Sequence, residues 1–329
     1  MTGLPVHGAP AVYAIHENPD WFGPFADALD AEGVPYVEWL LTGGVLDLDA
    51  EPPPGVFWSR FSASSHTRGH GLSKDHTRSV LSWVEAAGRR TVNGRAVLEL
   101  EVSKVAQLTA LRAAGIDVPR TVAVVGTDRL VEASGAFPGP FLTKHNQGGK
   151  GLGVRRFADA DELAAHVDSG ELEEPVDGIT LLQEYVPPAD GTITRVEIVD
   201  GELVYAIRAD TRAGGFQLCP ADACVIGPDG RPVAPPGAER APEPGEQIFS
   251  LRRDVDGLPV EAYLAFVAKH GIEVAGIELI EAADGRLVTY DVNTNTNYNA
   301  AVEAVAPRSG PREVARLLAR LLAHEGGTR

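Results

Sequence analysis

A glycine-rich segment between two predicted strands is the feature that most constrains the fold of this 329-residue chain. His145–Gly153 contains four glycines, and without Cβ atoms its backbone N–H groups can approach a phosphate closely. It lacks the Gly-Lys-Ser/Thr ending of a P-loop and leads into the strand-like Val154–Phe157 instead of a helix. The pattern predicts a hairpin flap that covers a triphosphate, with Lys144 and Lys150 supplying positive charge. A flexible hairpin that binds nothing is the alternative.

The composition excludes several classes of protein. With 46 Asp plus Glu against 29 Lys plus Arg, the net charge of −17 argues against a nucleic-acid partner, because that affinity comes from basic residues. No apolar run approaches the roughly 18 residues that span a bilayer, so neither a membrane partner nor a signal peptide in Met1–Val12 is expected. Cys219 and Cys224 cannot form a disulfide framework, which favours the cytoplasm. The length exceeds one usual core of about 250–300 residues, so two or three lobes are expected.

The first hundred residues alternate between strand and helix patterns. Predicted strands cover Ala11–Ile15, Val34–Trp39 and Val56–Ser59, and a predicted helix covers Trp21–Ala31. The following segment, Arg60–Lys74, is basic in an acidic chain. It is either a solvated loop or a loop that offers Arg60, His66 and Arg68 to an anionic ligand.

The rest of the chain mixes helices with antiparallel strands. Further predicted helices are Ser103–Ala114, Asp161–Val167 and Arg312–Ala323, and further predicted strands are Thr121–Val125, Phe141–Lys144 and Ile179–Glu184. Asp-Gly pairs at positions 200 and 284 predict two hairpins. Gly227–Gly245, dense in Pro and Gly, is interpreted as a surface loop rather than a domain linker.

The hairpin around Asp284 predicts a metal site. A two-residue turn pairs Ala283 with Arg286 and brings Glu278 directly opposite Asp291, with Asn293 on the same face. Two ionised carboxylates facing each other among apolar neighbours are costly, whereas Mg²⁺ prefers such oxygen ligands. A solvated acidic pair is the alternative.

The hairpin around Asp200 predicts a cationic surface. A two-residue turn pairs Arg195 with Ala206 and places Arg208 on the same face as Arg195. That face is either solvated or binds an anion such as a γ-phosphate or a substrate carboxylate.

Taken in order, these motifs resemble the ATP-grasp superfamily, and most closely its RimK-type carboxylate–amine ligases. The resemblance spans about Ser103–Asn299 and rests on Lys104, Lys144, the glycine flap, Gln183–Val186, Arg195, Arg208, Glu278, Asp291 and Asn293. It implies an α/β and α+β architecture: an ATP-grasp fold with an N-terminal α/β domain (residues 1–102), a small central lobe with the flap (103–186) and a C-terminal lobe with the metal site (187–329).

The resemblance also implies roles for individual residues. It implies that Lys104 and Lys144 contact the phosphates, which are covered by Gly148, Gly149, Lys150, Gly151 and Gly153. Adenine would be bound by Gln183, Glu184, Tyr185 and Val186, and ribose by Asp190. The metal ligands would be Glu278, Asp291 and Asn293, and the residues that balance charge during catalysis would be Lys144, Arg195 and Arg208. Candidate substrate contacts are Arg60, His66, Arg68 and Asn295, while Asn297, Asn299 and the two cysteines have no assigned role. RimK-like members usually carry Asp before Glu at the metal, whereas here Glu278 precedes Asp291.

The function implied is an ATP-dependent ligase that works through an acyl phosphate. Its cofactors are ATP and two Mg²⁺ ions, or Mn²⁺ in their place, and its partners are small-molecule carboxylates and amines such as amino acids or peptides. Dimers and tetramers are usual in the family, so the resemblance is compatible with a homo-oligomer. An intramolecular ring closure, a small-molecule kinase and a nucleotide-binding regulator without turnover remain alternatives.

Overall fold

The computed structural model describes residues 8–149, 151, 153–214 and 248–326. Lys150, Cys219, Cys224 and the predicted loop Gly227–Gly245 lie outside these residues. The strands are β1 (Ala11–His16), β2 (Tyr36–Leu40), β3 (Gly55–Ser59), β4 (Arg90–Val92), β5 (Thr121–Val125), β6 (Phe141–His145), β7 (Arg155–Phe157), β8 (Ile179–Glu184), β9 (Thr192–Val199), β10 (Glu202–Asp210), β11 (Phe249–Arg252), β12 (Val274–Glu281) and β13 (Leu287–Asn293). The helices are α1 (Gly23–Ala31), α2 (Ser73–Ala86), α3 (Arg95–Glu101), α4 (Lys104–Ala113), α5 (Leu130–Ser134), α6 (Ala160–Asp168), α7 (Thr211–Gly214), α8 (Val260–His270), α9 (Ala300–Glu303) and α10 (Gly310–Gly326).

The first sheet is parallel, with the strand order β2-β1-β3-β4. β1 and β3 are buried along their whole length because helices cover both faces of the sheet. One face packs against α2 and α3 through side chains such as Leu81 and Leu98. The other face packs against α1 and the C-terminal helix α10. The predicted alternation of strand and helix in this region is therefore confirmed.

The second sheet is antiparallel, with the order β5-β8-β6-β7. Its core joins Phe141 and Phe157 on the strands to Leu163 on α6. β6 and β7 are the two arms that flank the glycine-rich segment, and Phe141 pairs with Phe157. The predicted order of strand, glycine loop and strand is confirmed.

The third sheet is antiparallel, with the order β11-β10-β9-β12-β13. Helices α4 and α8 cover one face, where Leu111 and Phe266 pack on β9 and β12. Helix α10 covers the other face, and its Leu318 belongs to a core that continues into the first sheet. α10 therefore packs against both sheets at once.

Two helices of the first sheet were not predicted from the sequence. Ser73 and Lys74, assigned to the basic loop, begin α2, and α3 was not anticipated at all. The first turn of α2 carries polar and acidic residues, so its apolar face becomes apparent only further along, at Val80, Leu81 and Val84. Among the described residues, no helix is both long and apolar enough to cross a membrane.

The predicted turn around Asp284 is wrong by one residue, but the predicted carboxylate pair is confirmed. Ala282, not Ala283, bonds to Arg286, so the turn holds three residues and ends at Gly285 with φ +85°. A β-bulge then inserts Tyr290 into β13, which returns Asp291 to a position opposite Glu278. The extra residue in the turn and the extra residue in the bulge therefore offset each other, and the predicted pairing of Glu278 with Asp291 is kept.

The predicted pairing of Arg195 with Ala206 is wrong. Residues 199 and 202 pair around the turn as expected, but β10 contains a bulge between Leu203 and Tyr205. Arg195 therefore faces Ile207, while Arg208 faces Thr194 on the opposite side of the sheet. Because side chains alternate between faces, one extra residue separates the two arginines.

Helix α10 provides a test of this packing. Leu318 is fully buried between the first and third sheets, so Leu318→Ala leaves a cavity and lowers the free energy of unfolding by about 3 kcal/mol. Arg320→Ala, on the same helix, removes only an exposed ion pair to Asp200 and should change it by less than about 1 kcal/mol. Urea unfolding followed by circular dichroism measures both. Equal effects of the two substitutions would contradict the packing described for α10.

Candidate active site

A cavity of about 920 Å³ is lined by residues of the second and third sheets. Strand β6 and the glycine-rich loop contribute to one wall, and β12 and β13 contribute to the opposite wall. Trp21 and the loop after β3, at Ser62–Ser64, also line it. The cavity thus lies between the second and third sheets, and segments that follow β1 and β3 of the first sheet also border it.

Two lysines enter the cavity beside Asp291. Lys104, at the start of α4, is positioned by the Ser103 N-cap and by bonds from this turn to Asn146. Its Nζ lies 2.6 Å from Asp291 Oδ1. Lys144 on β6 is 8% exposed, and its Nζ lies 3.5 Å from the carbonyl oxygen of Tyr290. Within the described chain Lys144 forms no ion pair, so it is a buried cation available to an anion.

The charges of these residues depend on each other. Burial, reinforced by nearby Lys104, lowers the pKa of Lys144 to about 8. Burial raises the pKa of Asp291, but Lys104 and Lys144 outweigh it and bring the pKa below its usual value. Asp291 is therefore ionised at neutral pH, while the pKa of Lys144 lies close to neutral pH.

Arg195 organises the neighbouring carboxylates. Its Nε bonds to Glu197 Oε1 at 2.7 Å and its Nη1 to Glu278 Oε1 at 3.0 Å, while its Nη2 bonds to the Thr296 hydroxyl. Thr296 in turn donates to Glu197 Oε2 at 2.8 Å. The guanidinium lies over Gly276, where a Cβ atom would come within 2.4 Å of Nε. Arg195 and Glu197 are thus fully buried and satisfied by each other.

Glu278, Asp291 and Asn293 form a set of oxygen donors on one wall. Glu278 pairs with Asp291 across the strands, and Asn293 Nδ2 lies 3.1 Å from Glu278 Oε1. Burial raises the pKa of Glu278, although Arg195 opposes this shift. In the described part of the chain, no group of three or more His, Cys, Asp or Glu side chains is placed to hold a metal. Two carboxylates and an amide fit Mg²⁺, which binds through few protein oxygens and leaves positions for phosphate.

The glycine-rich loop is held against the cavity at both ends. Gly153 has φ +66° and lies on the His145 ring, where a Cβ atom would come within 2.1 Å of Cδ2. Gly149 approaches Ser64, and Gln147 accepts a bond from Lys74 at 2.8 Å. Ser64, in the loop before α2, and Lys74, in α2, therefore connect the N-terminal region to the glycine-rich loop.

The segment at the end of β8 also lines the cavity. Gln183, Glu184, Tyr185 and Val186 all line it. Glu184 bonds to Arg286 at 2.9 Å, and Arg156 stacks over the Tyr185 ring at 4.8 Å. The segment thus presents a mixed polar and aromatic edge.

The structure brings most of the predicted site residues together. The cavity is lined by Lys104, Lys144, Gly148, Gly149, Gly151, Gly153, Gln183, Glu184, Tyr185, Val186, Arg195, Glu278, Asp291, Asn293 and Asn295. Lys150 lies outside the described residues.

Two predicted residues, Arg208 and Asp190, are not part of this wall. Arg208 is exposed on the opposite face of the third sheet, because of the bulge in β10. Asp190 is exposed and caps its own loop by accepting bonds from Thr192. The proposed contacts of Arg208 with an anion beside Arg195 and of Asp190 with ribose therefore have no support from their positions.

Ser62–Ser64 of the basic loop line the cavity, but its predicted ligand contacts Arg60, His66 and Arg68 do not. Arg60 is buried, stacks on Phe25 at 4.0 Å and donates to Asn297 Oδ1 at 2.9 Å. Arg68 pairs with Glu17 and donates to Ser64 Oγ at 3.0 Å. His66 does not line the cavity either. The positions of these three residues therefore give no support to direct ligand contacts; Arg60 and Arg68 bond instead to Asn297 and Ser64, which line the cavity.

Glu101 was missed from the sequence. It follows Val97 and Leu98 on the buried side of α3, so the helical periodicity alone places a carboxylate at an apolar position. It lines the cavity and accepts two bonds of 2.8 Å from Thr294, through the backbone N–H and the hydroxyl. Burial raises the pKa of Glu101 to about 7.

The close approach at Gly276 is testable. In Gly276→Ala the new methyl group displaces the Arg195 guanidinium and leaves Glu197 buried without its partner, which should cost about 3 kcal/mol of unfolding free energy. The matched control is Gly139→Ala, where no atom lies within 4 Å of the new Cβ and the change should stay within about 0.5 kcal/mol. Denaturant unfolding measures the free energy of unfolding of both variants. Equal values for the two would show that Arg195 is not tightly held.

Comparisons with known proteins place this site in context. Residues 102–219 match the sequence profile of the RimK-like ATP-grasp domain. The curated beta-citrylglutamate synthase B of Danio rerio is 23% identical over 236 residues, which cover 71% of this chain. Those residues cover 51% of that protein, so this chain spans about half the length of the curated relative it matches.

Solved structures share the same architecture. The D-cycloserine synthetase DcsG is 19% identical, covers 94% of this chain and 100% of its own, and superposes with a TM-score of 0.61. A RimK-domain ATP-grasp protein from Sphaerobacter thermophilus is 16% identical, with 94% and 100% coverage and a TM-score of 0.63. The ligase PsnB, solved with a minimal precursor, Mg and ADP, is 16% identical, with 96% and 99% coverage and a TM-score of 0.61. These similarities establish the ATP-grasp fold.

Proposed function

From the match of residues 102–219 to the RimK-like ATP-grasp domain and from the shared ATP-grasp fold, we propose that this chain is an ATP- and magnesium-dependent ligase joining a carboxylate to an amine. The observation that carries the proposal is the convergence of Lys144, the Lys104–Asp291 pair and Glu278 opposite a glycine hairpin. Buried cations facing a flap of backbone N–H groups suit a polyphosphate.

We assign the nucleotide to the space between the second and third sheets. Residues 103–186 and 187–329 are then the two lobes that enclose it, and residues 1–102 form the preceding domain. Lys104 and Lys144 neutralise phosphate oxygens, and the loop Gly148–Gly153 covers them. The edge Gln183–Val186 receives the adenine, by backbone and side-chain contacts.

The reaction consists of two transfers. A carboxylate oxygen attacks the γ-phosphorus of ATP, the bond from that phosphorus to the β,γ-bridging oxygen breaks, and ADP leaves. The amine nitrogen then attacks the acyl carbon, and phosphate departs with the electrons of the broken C–O bond. Glu278, Asp291 and Asn293 would hold Mg²⁺, which when bound would supply positive charge to the phosphate oxygens. Lys144 contributes a further charge on the transferring group, and Arg195 keeps Glu278 in place.

The substrates are amino acids, peptides or related small metabolites. Among the similar structures, one is named a D-cycloserine synthetase and PsnB was solved with a minimal precursor, so small and peptidic substrates are both compatible with the fold. Ring closure within a single molecule is compatible with the same chemistry.

The proposal is tested by product analysis. Purified protein receives ATP, Mg²⁺ and a panel of amino acids and dipeptides, with and without amines. We expect ADP release that depends on the carboxylate and an amide product that depends on the amine. A stable phosphorylated product without amine dependence would identify a kinase. Nucleotide binding without turnover on any panel member would favour a regulator.

Asp291 provides the mutational test of the metal site. Asp291→Asn removes a charged oxygen donor and should lower magnesium-dependent turnover at least about 10–100-fold, the loss that follows even when a supporting group is removed. Asp284→Asn, at the exposed tip of the same hairpin, is the matched control and should retain turnover. Circular dichroism checks that both variants fold. Undiminished turnover in Asp291→Asn would exclude Asp291 from the site.

Lys144 gives nucleotide binding a pH dependence. Its pKa of about 8 in the free protein means that it is charged below pH 8 and loses its proton above it. Because phosphate favours the charged form, the affinity for ADP should fall above pH 8 by up to about tenfold per pH unit. Lys144→Arg keeps its charge and should remove this fall. Isothermal titration calorimetry from pH 7 to 9 measures both; parallel curves would contradict a phosphate contact by Lys144.

A further inference from the structure

Several residues that line the cavity are hydrogen-bond acceptors. They are Ser62, Ser64, Glu101, Asn295 and Asn297. The two serine hydroxyls bond to each other at 2.9 Å. No cation of the described chain forms an ion pair with Glu101; Lys104, whose charge favours the ionised form of Glu101, is itself bonded to Asp291. A buried carboxylate without a cation is costly unless a ligand supplies one.

Both principal acceptors have unused capacity. Glu101 Oε2 accepts two short bonds from Thr294, but Oε1 accepts only one long bond of 3.4 Å, from the backbone N–H of Ala63. Asn295 Oδ1 is buried and has no hydrogen-bond partner within the described residues. An alkylammonium group, with three N–H donors and a positive charge, matches this set of acceptors.

These acceptors are close in the chain to the oxygen-donor set. Thr294, which Glu101 holds, stands between Asn293 of that set and Asn295. Because Glu101, Asn293 and Asn295 all line the cavity, a group bound to Glu101 and Asn295 shares that cavity with the proposed metal ligands. On the strength of the proposed ligase function, we propose that Glu101 and Asn295 form the subsite for the amine substrate and that Glu101 accepts its proton.

The proton transfer completes the reaction. The substrate enters as R–NH₃⁺, and Glu101 takes one proton to become a neutral carboxylic acid, leaving R–NH₂ with a free electron pair. That pair forms the C–N bond as the C–O bond to phosphate breaks, and the second proton leaves with the phosphate. The pKa of Glu101, about 7 because of burial, suits a group that accepts a proton near neutral pH.

The first experiment measures amine binding without turnover. Thermal unfolding of the full chain is followed in ADP and Mg²⁺ with n-propylammonium chloride, with tetramethylammonium chloride, which has the charge but no N–H donors, and with KCl. We expect stabilisation by n-propylammonium alone, and at least a tenfold weaker response in Glu101→Gln and in Asn295→Ala. Glu99→Gln, an exposed carboxylate of the same helix, is the matched control and should respond like the unaltered protein. Equal stabilisation by all three salts, or an unchanged response in Glu101→Gln, would overturn the subsite.

The second experiment separates this proposal from the ligase function. Hydroxylamine is uncharged at neutral pH and traps an acyl phosphate as a hydroxamate without needing a base. We expect Glu101→Gln to keep hydroxamate formation while its KM for an alkylamine rises at least tenfold and its KM for ATP stays constant. Absence of hydroxamate from the unaltered protein would contradict the ligase function. Hydroxamate formation with an unchanged amine KM in Glu101→Gln would contradict the role of Glu101.

Discussion

The bonds of the buried Arg195 are the interaction on which the rest of the site depends. Its guanidinium joins Glu197, Glu278 and Thr296, and so ties β9, β12 and the loop after β13 to one another. Each of these groups would be costly to bury alone, because a charge in a low-dielectric interior loses its hydration. Their mutual satisfaction fixes the direction of Glu278, and Gly276 is the residue that leaves room for this arrangement.

The N-terminal region holds one wall of the cavity in place. Its parallel sheet shares α10 and one continuous core with the third sheet, so the loop after β3 is held firmly beside the cavity. Within that loop, Arg60 bonds to Asn297 and Arg68 bonds to Ser64. The cavity lining consequently contains both cations, Lys104 and Lys144, and acceptors, among them Glu101 and Asn295.

The glycine-rich loop and the strand before it contact both the third sheet and the N-terminal region. Its β6 arm carries Lys144 toward the third sheet, and Gln147 bonds to Lys74 of α2. Gly149 also lies against Ser64, so the glycine-rich loop and the loop after β3 are connected by direct contact. In the proposed ligase, this connection keeps water away from an acyl phosphate while the amine approaches.

Much of this protein was determined by local sequence. The glycine loop between strands and the two Asp-Gly turns follow from backbone preferences, and the resemblance of the ordered motifs to the ATP-grasp superfamily was enough to predict the fold. The Glu278–Asp291 pair was predicted correctly because the longer turn and the bulge in β13 offset each other. Only the tertiary structure determined on which face of the sheet the residues after each bulge lie. In β10, one extra residue places Arg208 on the face opposite Arg195. The tertiary structure also decided that Glu101 is buried in the cavity while Arg60 is not part of its lining, because burial depends on residues far away in the chain, about which local pattern carries no information.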